Sequence, residues 1–345
     1  QLFASSIKTN RDEWVYDFKR TTLVEKVQFF IRIFNQSVAA GEPDYSIKWS
    51  STLQNINRPL YFDSQFIMQI LWRPFVRKYF YADKSCNDRL TKLHYQIYGH
   101  QLKANNNTMI LPGLPLGIPF SLWAVSIPTD YHFLGYSSLF PLWIYADDGT
   151  QHDNITDWSL NYFQQRYHDT TITKWAIFDY VYAVLHDSRY RQQFALNLKS
   201  EFPRIPTHPD FWAWSRIGGE LVQLHAEFET VPPWPLKRVE QEIKMPPKCR
   251  LKANKTDGTI EIDSATTLME IPASAWEYQL GTRTALEWVL DQYKERPPKD
   301  PTIRAQFNTY QFADYKEQVI ELLARVCRVS VATVNKMQQL AQLRW

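Results

Sequence analysis

Pro209-Asp210, followed at a distance by Glu242-Ile-Lys244, is the arrangement in this sequence that comes nearest to a hydrolytic centre. Two carboxylates and a lysine in that order can hold a divalent metal and activate a water against a phosphodiester. The pattern is permissive, and Glu242 falls in a charged, proline-bearing run rather than on a strand-like segment, so it reads as a chance match. Val231-Pro-Pro-Trp234 has the outline of the Asp/Asn/Ser-Pro-Pro-aromatic loop with which adenine-N6 methyltransferases grip the amino group of a flipped base. It puts valine where the hydrogen-bonding side chain must stand, and no glycine-rich cofactor motif precedes it, so a linker is expected. His186, beside Asp187, ends a helical pattern, where it can cap free carbonyls; His225 lies between Leu224 and Ala226 on a largely apolar one. No Gly-x-Ser-x-Gly elbow completes a triad with either, and no GxGxxG, Walker loop or HExxH occurs. No catalytic residue and no metal ligand is therefore expected in this chain.

The elements that would position a site are those of a globular α+β protein. The chain has 345 residues, 44% hydrophobic and 22% charged, which is enough for one large domain or two ordinary ones. Aromatics are abundant, with 13 Trp, 19 Tyr and 20 Phe, whereas glycine is scarce at 10, which argues against folds that bring backbone close to phosphate. A net charge of +3 neither requires nor excludes nucleic acid, because a local stripe matters more than the total. Cys86, Cys249 and Cys327 are far apart and odd in number; with no signal peptide and no long apolar span, a cytoplasmic protein is expected. The sequons at Asn106, Asn154 and Asn254 then read as chance, and an opening Gln1 without methionine is the expectation for a piece of something longer.

Residues 1–150 read as a mixed part. Tyr45–Trp49 alternates at the strand period, and Leu139–Tyr145 is a buried-strand candidate ending in the turn Asp147-Asp-Gly149. Leu111 to Phe120 reads as a loop. Residues 151–230 are a helical middle, with Ile177, Val181, Val184 and Leu185 on one face and Leu221, Leu224 and Phe228 on another. Between them, two prolines make Phe202–Pro206 an extended connection. Residues 231–345 hold a linker from Val231 to Pro247, a small hairpin from Lys252 to Ile262 around Asp257-Gly258, and a helix from Thr284 to Tyr293. Two C-terminal helices follow the Pro297–Pro301 break. One carries Val319, Leu322, Leu323 and Val326; the other starts after Ser330 as N-cap, with Val331, Val334 and Met337 on its face.

One run combines charge and aromatics, Leu71-Trp-Arg-Pro-Phe-Val-Arg-Lys-Tyr-Phe-Tyr81. Arg73, Arg77 and Lys78 suit phosphate contact, and equally a buried strand whose arginines cap carbonyls or pair with carboxylates. The run resembles the Arg-Pro-Phe-x-x-Arg-x-x-Tyr signature of type ISP restriction–modification enzymes, single polypeptides that join a nuclease, an ATP-driven motor, an adenine methyltransferase and a C-terminal recognition domain. Further matches follow in the family's order: Thr9-Asn-Arg-Asp12 with Trp14-Val-Tyr-Asp17, Phe140–Tyr145, Asn154-Ile155, Ile177-Phe178, Tyr180–Asp187, Tyr190-Arg191, Phe202–Pro206, Gly219–His225 and Gly281–Tyr293. They cover nearly the whole chain, while the methyltransferase cofactor motifs, its catalytic loop and all motor motifs are missing.

The resemblance implies a target-recognition region that binds duplex DNA sequence-specifically and presents one adenine to an adjoining N6-adenine methyltransferase domain. It implies no cofactor here, and S-adenosylmethionine, ATP and Mg2+ for a parent enzyme serving phage defence. Asn10, Arg11, Arg73, Arg77 and Lys78 lie in family motifs and are expected to serve as scaffold or phosphate contacts, since family members read different targets. Base readers are expected where little family pattern is seen: Arg89, Lys92, Gln96, Gln101, Lys103 and Asn105 within Lys84–Asn107, or the stretch Lys237–Lys255. Both stretches equally have the composition of solvated loops. The alternative is a helical docking domain that touches DNA little; a third reading is a free-standing nuclease through Asp210, Glu242 and Lys244.

Overall fold

The apolar runs of the first 150 residues form small antiparallel sheets. The computed structural model describes residues 2–345. Among them β1 (Ala4–Ser5), β7 (Ser138–Pro141), β5 (Thr108–Leu111) and β6 (Trp123–Val125) pair in that order. A second sheet sets β2 (Tyr16–Asp17) beside β4 (Val76–Tyr81) and β3 (Ile67–Arg73). The expected strand at Leu139–Tyr145 is divided between two sheets. Leu142 separates β7 from β8 (Trp143–Tyr145), which turns at Asp147–Gly149 into β9 (Gln151–Asp153).

Tyr45–Trp49 is not a strand. Its alternation is real, but Trp49 Nε1 donates to the Asp44 carbonyl and Ser46 N to the Asp44 carboxylate, so local bonds hold the segment as a turn. Asn106 and Asn154 are buried and donate to main-chain carbonyls on neighbouring segments, which leaves neither amide open to glycosylation.

The helical middle is built on Lys174–His186 and Phe211–Ala226, capped by Thr173 and Asp210 at 3.1 and 3.0 Å to the main-chain N–H three residues on. Gly218 lets the two helices touch, because a Cβ there would come within 1.8 Å of the Asp179 carbonyl oxygen. Phe202–Pro206 is extended as expected. The Tyr190 and Tyr180 hydroxyls pin it through the Arg204 and Pro206 carbonyls, each at 2.8 Å.

Two readings of the C-terminal part are corrected. The span from Val231 to Pro247 is not all linker: β10 (Lys237–Glu240) pairs with β13 (Thr266–Met269), which continues through β12 (Thr259–Asp263) to β11 (Cys249–Asn254). The β11–β12 hairpin is the expected one, with Gly258 at φ 62° in its turn. The two C-terminal helices are one, Lys316–Gln342. Ser330 does not cap a start; it is buried mid-helix and donates its hydroxyl to the Val326 carbonyl at 2.7 Å, and no glycine or proline interrupts the run.

The core falls into two clusters. One joins Leu23, Val27 and Phe34 of the Arg20–Ala40 helix to Leu286, Val289, Leu323 and Val326. The other packs the Lys174–His186 and Phe211–Ala226 helices against Met109, Leu111, Leu122 and Ala124. The Lys316–Gln342 helix enters both, through Val319–Val334 and then Leu340. No helix among the described residues is long and apolar enough to cross a membrane.

Candidate functional site

Three segments distant in sequence meet at one cleft because of two isolated parallel bridges, Ile7 with Asp130 and Leu71 with Thr129. Main-chain bonds from Asp130 N to the Leu71 carbonyl (3.1 Å) and from Tyr131 N to the Ile7 carbonyl (2.8 Å) complete the junction. Asp12, Arg73 and Asp130 are thereby brought together. Arg73 Nη1 donates to Asp130 Oδ1 at 2.6 Å and to the Trp72 carbonyl at 2.6 Å, while its guanidinium stacks over the Trp72 ring at 3.9 Å. The Asp130 side chain is 1% exposed. Its Oδ1 also accepts from His132 N at 2.8 Å, whereas Oδ2 has no hydrogen-bond partner.

Asp12 accepts from the Thr9 hydroxyl, and its carboxyl is pushed up by burial and then by the negative charge of Asp130. The Tyr16 hydroxyl is buried beside Asp130, within side-chain hydrogen-bond reach of it, and burial, then the charges of Asp130 and Asp12, raise its phenol well above the ordinary range. Lys78 lies with its ammonium over Phe18 (4.5 Å) and Trp72 (4.6 Å), and burial draws it down to about 8 against the opposing pull of Asp17. The cleft has a volume of about 840 Å3 and is lined also by Gln292, Lys294, Asp300 and Tyr310.

The other residues expected as scaffold or phosphate contacts are held by the protein itself. Arg11 is buried, donating to the Cys86 carbonyl at 2.7 Å and pairing with Asp88 at 3.4 Å. Asn10, at φ 56°, donates to Asp88. Arg77 pairs with Glu229 at 2.6 Å, both side chains partly open to solvent. These arginines anchor segments to one another.

Lys84–Asn107 is more ordered than a solvated loop. It contains the Lys92–Tyr98 helix and buries Cys86, Leu90, His94, Ile97, Tyr98, Leu102 and Asn106. Arg89, Lys92, Gln101, Lys103 and Asn105 face solvent and Gln96 is half-buried. Lys92 pairs with Asp147 at 2.7 Å, and Lys103 reaches the Gln101 amide oxygen at 3.5 Å. In Lys237–Lys255, residues Gln241–Lys248 are exposed without a break.

The chemical motifs are not assembled. Asp210 serves as the cap of the Phe211–Ala226 helix, and Glu242 and Lys244 lie in the exposed Gln241–Lys248 segment. Val231–Trp234 is strapped to the long helix: Arg325 donates to the Val231 carbonyl at 2.6 Å, Trp234 N donates to the Ala324 carbonyl at 2.9 Å, and Arg328 covers the Trp234 ring at 4.7 Å. His225 is buried. Its Nδ1 meets the Tyr182 hydroxyl at 2.5 Å and its Nε2 meets Thr333 Oγ1 at 2.9 Å, while the ring stacks on Trp123 at 4.5 Å. Burial holds it down at about 3. His186 does not cap free carbonyls: it is buried, and its Nδ1 bonds the Tyr182 carbonyl one turn back, within the helix rather than at its open end. Sequence reasoning missed Asp130, His132, Tyr16 and Trp72 as a group. Asp12, Tyr16 and Trp72 stood in quoted motifs, but Thr129–His132 carries no local signal.

With this geometry in view, comparison defines the class. The chain matches the Type ISP C-terminal specificity domain over residues 1–322, and it belongs to that family. Among solved structures, the cryo-EM structure of a DrdV–DNA complex is 39% identical, with a TM-score of 0.94 over 98% of this chain and 35% of that one. A nuclease-deletion mutant of the Type ISP restriction–modification enzyme LlaGI, in complex with a DNA substrate mimic, is 26% identical, with a TM-score of 0.82 over 99% of this chain and 33% of that one. The ATP-dependent Type ISP enzyme LlaBIII bound to DNA shares the fold at 22% identity, with a TM-score of 0.83 over 98% of this chain and 23% of that one. No curated protein sequence matches the chain significantly. The chain spans about a third or less of the length of these structures.

Proposed function

We propose that this chain recognises a specific duplex DNA sequence for a larger restriction–modification enzyme and carries no catalytic step of its own. The observation that carries the reading is that 98% of this chain matches, at 39% identity, about a third of the DrdV chain, solved with DNA. In the parent, an adjoining N6-adenine methyltransferase domain would receive the target adenine, using S-adenosylmethionine, with ATP and Mg2+ serving motor and nuclease parts, in the cytoplasm. We assign base readout to the exposed polar side chains, either Arg89, Lys92, Gln101, Lys103 and Asn105 with half-buried Gln96, or the Gln241–Lys248 segment and its flanking strands. Arg11 and Arg73 act as scaffold, since their hydrogen bonds run to protein atoms.

A selection from random duplexes tests this. One preferred sequence should emerge, with affinity falling steeply as salt rises, because neutralised phosphates release counterions. A second reading rests on one feature. Trp158 is 74% exposed and stacks on Tyr162 at 5.7 Å, with Trp175 also 46% exposed, an apolar surface suited to a protein partner. Salt-insensitive or absent DNA binding would favour that docking role.

A further inference from the structure

The floor of the cleft carries more than a scaffold needs. Asp12, Asp130 and His132 offer two carboxylate oxygens and an imidazole nitrogen that all lie within 4.8 Å of one another, the one such group among the described residues. Tetrahedral ligands bound at about 2.0–2.2 Å stand about 3.3–3.6 Å apart, so closure draws these atoms together by up to about 1.5 Å, a movement that His132, whose side chain is 46% exposed, can make. Arg73 and the His132 N–H both occupy Asp130 Oδ1, so Oδ2 is left buried with an unfilled acceptor site. A buried carboxylate oxygen without a partner is costly, and Arg73 bonds only Oδ1, turning its other contact to the Trp72 carbonyl. The Tyr16 hydroxyl, on a residue 3% exposed, is buried beside Asp130, within reach of a side-chain hydrogen bond to it but outside good hydrogen-bond geometry. It is close enough to Asp130 and Asp12 for their charges to act on it.

Two carboxylates against the single guanidinium of Arg73 leave the cluster net negative, which favours a cation over an anion. Lys78, across the cleft with its ammonium between Phe18 and Trp72, and the Lys26–Asp17 pair moderate that field without entering the cluster. A divalent ion seated between the two carboxylates would offset their mutual repulsion.

We propose that Asp12, Asp130 and His132 form a binding site for a divalent transition ion, of which Mn2+ and Zn2+ suit the mixed carboxylate and imidazole donors. The remaining coordination positions open into the cleft, and Tyr16 holds a ligating carboxylate or a metal-bound water in place. The ion ties the Thr9–Asp12 segment to the Thr129–His132 segment, independently of whether the chain binds DNA.

The test is titration calorimetry of the chelator-treated chain with MnCl2 and with ZnCl2, alongside NMR of nitrogen-labelled histidine. One ion should bind per chain, and substoichiometric Mn2+ should broaden the His132 imidazole before those of exposed His100, His152 and His168. His132→Gln and Asp12→Asn should each weaken binding at least tenfold while melting like the parent chain without metal. Asp130→Asn is a poorer probe, because it unpairs buried Arg73. No heat and no selective broadening up to millimolar ion would overturn the proposal, as would binding that survives unchanged in both variants.

Discussion

Arg73 ends β3 and Arg77 lies four residues on in β4, yet their surroundings differ. Arg73 neutralises an Asp130 side chain that is 1% exposed, so Arg73→Ala strands a buried charge and should destabilise the protein by roughly 3–5 kcal/mol. Arg77 pairs with Glu229 where both are partly solvated, and Arg77→Ala should change stability by about 0–1 kcal/mol. Denaturant melts of the two variants check this; equal effects would contradict the assigned burial. Asp179 offers a pH test. Burial raises its carboxyl to about 7, so the folded chain keeps a proton that the unfolded chain releases near pH 4. Its contribution is therefore fully present below about pH 4 and lost as pH rises through about 7. Asp179→Asn should be more stable than the parent at pH 8, on the order of 3 kcal/mol, with the difference closing toward pH 4. His225, held at about 3, acts with the opposite sign in both proteins, losing its contribution as pH falls from about 6.5 through about 3, and so cancels in the comparison.

Helix Phe211–Ala226 depends on Gly218 for its approach to Lys174–His186. Alanine in an exposed helix gains about 1 kcal/mol over glycine, but a Cβ here meets the Asp179 carbonyl at 1.8 Å, a main-chain atom that cannot rotate away. Gly218→Ala should thus destabilise by roughly 1–3 kcal/mol or more, with a lower melting temperature as the readout. A neutral or stabilising result would mean that the helices sit farther apart. The β10–β13 sheet illustrates the same dependence. Lys237–Glu240 carries one half-buried valine among charges, and only its bonding to Thr266–Met269 makes a strand of it.

Across the whole molecule, the scaffold and the exposed segments should separate in binding experiments. Alanine at Arg89, Lys92, Gln101, Lys103 or Asn105, or within Gln241–Lys248, should change preference at one base position by about tenfold or more at the responsible residue, since a bidentate contact discriminates by about 1–3 kcal/mol. A lost phosphate contact would instead weaken all sequences alike and lower the salt slope by about one unit. Scoring the variants by random-duplex selection distinguishes the outcomes; unchanged preference throughout both segments would reject this assignment of roles. Labelled S-adenosylmethionine and mixed duplexes should show no methyl transfer by the chain, because Val231 offers no hydrogen bond and Trp234 is tied to the Lys316–Gln342 helix. Transfer abolished by altering Trp234 would reverse that reading.

Much of the architecture was local and therefore legible. The helix from Thr284 to Tyr293, the glycine turn at Gly258 and the 3.6-residue apolar period of Lys174–His186 and Phe211–Ala226 rest on signals within a few residues. The quoted motifs, from Thr9–Asp12 to Gly281–Tyr293, were also enough for the family. Periodicity failed where the opposing surface decides. Ser330 looks like a helix start, but burial against the rest of the fold makes its hydroxyl an internal bond, and Tyr45–Trp49 alternates without any strand to pair with. The cleft lay beyond any local reading for the same reason. Asp12, Arg73 and Asp130 are brought together by the bridges of Ile7 and Leu71 to the Thr129-Asp130 backbone and by the Arg73–Asp130 pair, and long-range contacts of that kind leave no spacing in the sequence.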